Sequence, residues 1–150
     1  MERNADGATG VAVADRTDPA SNGDASPRNG QTCISVRSLW KVYGKDPQRA
    51  LKPEHAGKGK DALQAELGLV TALQDVAFDV HLGETFVVMG LSGSGKSTLV
   101  RCLVRLIEPT AGAIEIDGDD LIQYDERQLV GLRRTKTAMV FQHFGLLPHR

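Results

Sequence analysis

The residues of this chain whose types and spacing could do chemistry are Gly90-Leu91-Ser92-Gly93-Ser94-Gly95-Lys96-Ser97-Thr98. Gly93 and Gly95 allow backbone angles that a Cβ would block, so the successive N–H groups from Gly90 to Ser97 can turn inward around one anion. From Lys96 onward the pattern reads as a helix, whose first turn adds unpaired amides and the positive end of a dipole. Lys96 brings an ammonium to the same place, and a close charge pair is worth about 4 kcal/mol at an effective dielectric of roughly 20. Ser97 offers a hydroxyl to Mg²⁺, and Thr98 can hydrogen-bond a phosphate oxygen. The spacing Gly-x-x-x-x-Gly-Lys-Ser is therefore a cradle for a β-phosphate, with Lys96 on the β/γ oxygens. A chance Gly/Ser turn with an incidental lysine would not require a strand before it and a helix after it.

Those flanking elements are what position the cradle. The short β-branched run over residues 84–89 reads as a buried strand, and Leu99, Val100, Cys102, Leu103, Leu106 and Ile107 give the following helix a broad apolar face closed by Pro109. Upstream, residues 33–39 alternate as a half-buried strand that runs into Trp40-Lys41-Val42-Tyr43-Gly44. A tyrosine at a strand end can present its ring to a purine, so Tyr43 is a candidate stacking platform. Residues 45–71 form a long connection ending in helical character over 61–68, with Asp61 as N-cap, Gly68 as stop, and Leu63 and Leu67 on one face. Lys52, Lys58 and Lys60 read as solvated surface charges. Residues 73–82 alternate again, with Val76, Phe78, Val80 and Leu82 on one face. A strand is expected over 113–117 with a turn at Asp117-Gly118-Asp119, a helix over 125–133, and a buried strand over 137–141 followed by Gln142.

The chain has 150 residues, 41% apolar and 25% charged, the makeup of one globular domain. Residues 1–31 hold almost no large apolar side chains and read as a disordered tail, which leaves 32–150 to fold. No apolar run approaches the roughly 20 residues that cross a bilayer, and the polar N-terminus does not read as a signal peptide. A net charge of −1 supplies no basic field for nucleic acid. The two cysteines, Cys33 and Cys102, lack metal or redox spacing and read as reduced small core residues.

Taken together, these stretches resemble the nucleotide-binding subunit of an ABC transporter. Tyr43 falls where that superfamily has its adenine-stacking aromatic, residues 90–97 match its phosphate loop, and Gln142 after Val140-Phe141 matches its Q-loop glutamine. Leu106-Ile107-Glu108-Pro109-Thr110-Ala111-Gly112 and Ile116-Asp117-Gly118 strengthen the likeness. Within the superfamily, residues 33–150 are most similar to the ATPase of glycine betaine/proline importers, through Arg105-Leu106-Ile107-Glu108-Pro109-Thr110, the run from Arg133 to Gln142, Leu146-Leu147-Pro148-His149-Arg150, and the insert opening Pro47-Gln48-Arg49-Ala50.

The resemblance implies an α/β fold, the N-terminal part of a P-loop NTPase with an antiparallel β subdomain and an incomplete core sheet. It implies ATP and Mg²⁺ as ligands, with Ser97 and Gln142 toward the metal and Lys96 and Gln142 toward the reacting phosphate. It further implies a membrane permease, an external substrate-binding protein and a homodimer of full-length ATPase subunits as partners, and a cytoplasmic site at the inner face of the membrane. The family's Leu-Ser-Gly-Gly-Gln-type stretch, the strand with its Mg²⁺-binding Asp and catalytic Glu, and the switch His do not occur in these 150 residues. The resemblance therefore implies the ATP-binding, energy-coupling subunit of an importer for glycine betaine/proline-type osmolytes, without hydrolysis by this chain alone, the alternative being a non-catalytic fragment that binds nucleotide or permease.

Overall fold

A computed structural model describes residues 30–140. Strand β1 (Thr32–Tyr43) leads through two short 3-10 turns, Pro47–Leu51 and Pro53–His55, to helix α1 (Lys60–Leu67) and strand β2 (Val70–His81). Helix α2 (Lys96–Leu103), strands β3 (Ala111–Ile116) and β4 (Asp119–Asp120), a 3-10 turn at Leu121–Gln123 and helix α3 (Glu126–Thr135) follow. The four strands form one antiparallel sheet in the order β2-β1-β3-β4. The expected antiparallel subdomain is present.

Strand pairing, with irregularities near Ser38 and Asp75 where φ is positive, decides which residues are buried. On β1, Val36, Leu39 and Val42 are fully buried, and on β2 the buried positions include Leu73, Val76, Phe78 and Val80. These meet Leu99 and Cys102 of α2, Ile114 and Ile116 of β3, and Leu132 of α3 in the main core. A second small core joins Val42 to Ala50, Leu63 and Leu69, which fastens the 45–69 connection to the sheet. Burial of these apolar side chains, at about 1.5–3 kcal/mol for each large one, is what orders a connection this long.

Local signals set most of the boundaries. Asp125 caps α3 in a reciprocal pair with Gln128, and the basic Arg133 and Arg134 lie in its last turn. Asp117 and Gly118, both at positive φ, form the tight turn between β3 and β4. Gly68 closes α1 in the left-handed conformation, as expected, but the N-cap is Gly59, and Asp61 falls inside the first turn.

Four expectations need correcting. Residues 84–88 form no strand, and Met89 makes only an isolated bridge. Residues 137–140 are likewise without regular structure, the rest of that expected strand lying outside the described residues. A strand that belongs inside a parallel sheet needs a ladder partner on each side, and its local sequence does not supply one. Helix α2 stops at Leu103 instead of reaching Pro109, because Arg105 takes a positive φ and its guanidinium reaches back to the carbonyls of Leu121 (2.6 Å) and Tyr124 (2.9 Å). Finally, β2 ends at His81, so Leu82 lies beyond the ladder and is exposed.

Candidate functional site

The loop at residues 90–95 is built by close approach. A Cβ on Gly95 would lie 2.4 Å from the Ala72 carbonyl oxygen of β2, and one on Gly90 would lie 2.6 Å from Ser94 Oγ. Real Cβ atoms do not sit so near, so the loop can close on the sheet edge only with glycine there. Gly95, at φ 101°, is also the N-cap of α2, and the Leu99 amide donates to its carbonyl at 2.8 Å. Ser94 is buried, and its amide donates to the Leu91 carbonyl at 3.2 Å.

Lys96 lies across the mouth of this loop. Its Nζ donates to the carbonyls of Gly90 (2.8 Å) and Leu91 (2.7 Å) and approaches Ser94 Oγ at 3.4 Å. The ammonium is thus held by neutral acceptors beside the start of α2, with no carboxylate paired to it among the described residues. Ser97 and Thr98 occupy the first turn of α2, Ser97 exposed and Thr98 half-buried, while Leu91, Ser92 and Gly93 form the exposed outer bend. Phe86 anchors the approach to the loop by stacking on Phe78, with ring centroids 4.6 Å apart.

Tyr43 ends β1 opposite Val70 of β2, two residues from the Ala72 carbonyl that meets Gly95. Two residues of strand span about 7 Å. The sheet therefore brings the aromatic candidate and the loop to the same end. Lys41 Nζ lies 4.8 Å from the centre of the Tyr43 ring and donates to the Glu108 carbonyl at 2.8 Å. One face of the ring is thereby covered. Thr110 Oγ1 accepts from the Val42 amide at 2.9 Å, which ties the 108–110 segment beside the strand end. Gln142 lies outside the described residues.

Sequence reasoning missed the lysines of the connection. Lys58 is paired with Glu66, Nζ to Oε1 at 2.8 Å, and approaches buried His55 at 3.3 Å. Lys60 is half-buried and donates to the Ala72 carbonyl at 3.0 Å. Burial alone lowers its pKa. A lysine immediately before an amphipathic run was a weak signal, since only the docking of α1 on β2 decides where it points. Cys102 and Cys33 are free thiols, and burial pushes Cys102 up to about 11, the behaviour of an inert core residue. Among the described residues there is no cluster of His, Cys, Asp and Glu able to hold a metal, and no helix long and apolar enough to cross a membrane.

A glycine loop that caps the helix after it, with a lysine ammonium across its mouth, fits a P-loop nucleotide-binding domain. The ABC transporter family profile matches residues 73–150, and the chain belongs to that family. Over 121 residues it is 52% identical to the trimethylamine N-oxide transport system ATP-binding protein TmoW of Ruegeria pomeroyi, covering 81% of this chain and 35% of that protein. It is 47% identical over 116 residues to the glycine betaine/proline betaine transport system ATP-binding protein ProV of Escherichia coli, covering 77% of this chain and 29% of that one. The chain thus spans about a third of the length of these relatives. A solved structure of the ATP-binding cassette MJ0796, a dimer in a post-hydrolysis state bound to ADP and Pi, superposes with a TM-score of 0.57 at 30% identity, covering 77% of this chain and 41% of that one.

Proposed function

We propose that this chain binds MgATP in the 90–98 loop and forms part of the energy-coupling subunit of an importer for glycine betaine-type quaternary amines. The observation that carries the reading is the Lys96 ammonium held on two loop carbonyls at a turn where Gly90 and Gly95 leave no room for a side chain. Such a turn fits a phosphate, because a helix N-terminus and an ammonium held by neutral acceptors lie together there. Mg²⁺, when bound, neutralises developing phosphate charge, and Ser97 is the hydroxyl placed for it, with Gln142 as its second candidate ligand. Tyr43 stacks the adenine on the ring face that Lys41 does not cover. The exchange of Lys96 from loop carbonyls to β/γ oxygens replaces neutral acceptors by anionic ones, and a close charge pair is worth about 4 kcal/mol at an effective dielectric of roughly 20.

The relatives' printed functions supply the importer role. The dimeric neighbour supports a cassette dimer, and the family resemblance is the ground for a permease partner, an external binding protein and a position at the cytoplasmic face of the membrane. Calorimetric titration of the intact chain with MgATP tests the reading. Saturable uptake that falls at least about tenfold in Lys96→Ala is expected, since one charge-assisted contact contributes ~1.5–3 kcal/mol. Phosphate release should stay at the background rate, because the resemblance matches no carboxylate of this sequence to the role of polarising the attacking water, Gln142 being its one candidate toward that water. Absence of uptake, or uptake indifferent to Lys96→Ala, would overturn the site; turnover abolished by Lys96→Ala would overturn the separation of binding from hydrolysis.

A further inference from the structure

Lys60 stands outside the 90–98 motif and belongs to the long connection, yet the fold delivers it to the same place. Its Nζ donates to the Ala72 carbonyl at 3.0 Å, the same oxygen against which Gly95 packs. Ala72 lies two residues along β2 from Val70, the position opposite Tyr43. On an extended strand that offset is about 7 Å. A base stacked on Tyr43 and a β-phosphate in the loop would therefore set the ribose and α-phosphate beside Lys60.

A second observation is the state of the ammonium itself. Lys60 is half-buried, desolvation is the one cause acting on its charge, and no ion pair compensates it among the described residues. Lys58, two residues earlier, is by contrast paired with Glu66. A lysine has three donors, and the Ala72 carbonyl takes one. Two donors of this partly buried ammonium are thus left for other acceptors, and an anion would be the strongest of them.

We propose that Lys60 is a nucleotide-binding residue, its ammonium reaching from the first turn of α1 to the α-phosphate of a nucleotide seated between Tyr43 and the glycine loop. The inference deepens the reading above and rests on it. It gives the 45–69 connection a role at the site: docking of α1 through Leu63 brings in a positive charge that the loop does not contain.

The test compares Lys60→Met and Lys60→Arg with the unmodified chain, by calorimetry with MgATP and by ³¹P resonance of bound MgADP. Lys60→Met is expected to weaken MgATP about tenfold, the size of one charge-assisted contact, and Lys60→Arg to recover most of that loss. The α-phosphorus resonance should move in Lys60→Met while the β resonance stays in place, and the ligand-free denaturation midpoint should hold. Affinity in Lys60→Met within about twofold of the unmodified chain would overturn the inference and leave the 90–98 site standing. A loss that tracks a fall in the ligand-free midpoint, and that arginine does not repair, would assign Lys60 to holding α1 only. Failure of the unmodified chain to take up MgATP would instead remove the underlying reading.

Discussion

An alanine methyl at Gly95 would lie 2.4 Å from the Ala72 oxygen, whereas one at Gly93 meets nothing within 4 Å. Both residues have positive φ, at 101° and 79°, so both substitutions strain the backbone by about 1–2 kcal/mol. Only Gly95→Ala must also push the loop off β2. Gly95→Ala should therefore lower the stability measured by urea denaturation by about 1–3 kcal/mol more than Gly93→Ala, and it should carry MgATP uptake down with it. Equal costs would show that the loop does not depend on its seat against the sheet. The cradle was legible in the sequence because its chemistry is local: two glycines, a lysine and a serine at fixed spacing specify backbone angles, charge and hydroxyl together. Lys60 was not legible. Its partner is 12 residues away on another element, and nothing near it distinguishes a docked lysine from a solvated one.

Elements whose partners come from their own pattern were legible in the same way. β1 and β2 pair with each other, and runs of period two such as Val76, Phe78 and Val80 placed part of the buried set. The irregularities near Ser38 and Asp75 leave Val36, Leu39 and Val42 three residues apart, which periodicity did not foresee. The capped helix α3 announced its start through Asp125 and its end through Arg133 and Arg134. Helix α1 is a different case, since eight residues are too few to hold a helix in water without packing. Besides Leu63, it is held by Glu66, whose pKa is lowered chiefly by the hydrogen bond from Lys58 and further by the charges of Lys58 and His55. A carboxylate with a depressed folded pKa contributes stability that is present above its unfolded value and is lost as pH falls through the folded one. Acidification below the ordinary glutamate range should accordingly loosen α1 before the β1–β2 ladder. Amide exchange across 60–67 measures this, and Glu66→Gln should remove the pH dependence. Exchange in α1 that ignores pH in both forms would show that Leu63 packing alone docks the helix.

At the scale of the whole molecule, the segment leading to the loop has the shape of a strand without its ladder. Phe86 and Val88 pack against the main core, while Val87 and Met89 between them are 58% and 63% exposed. The period of two is there, and what is missing among the described residues is a strand ladder along 84–88. Its strand character was readable from the β-branched run, but pairing is a property of neighbours, so the sequence of the segment could not fix it. The sheet that does form is antiparallel, and it pairs β1 with β2 and β3 without drawing in residues 84–88. An apolar, extended segment that lies outside the described sheet is a template for another chain, because its exposed Val87 and Met89 match a second copy of itself. The 150-residue chain should therefore associate as its concentration rises through the micromolar range, as light scattering would record. Val87→Lys together with Met89→Lys should suppress that association by placing charge on the outward positions, without touching Phe86 and Val88 on the inward ones. Association that persists in the double variant would move the sticky surface elsewhere on the chain, and an unmodified chain that stays monodisperse over the whole range would mean that the 84–89 backbone finds its partners within the molecule.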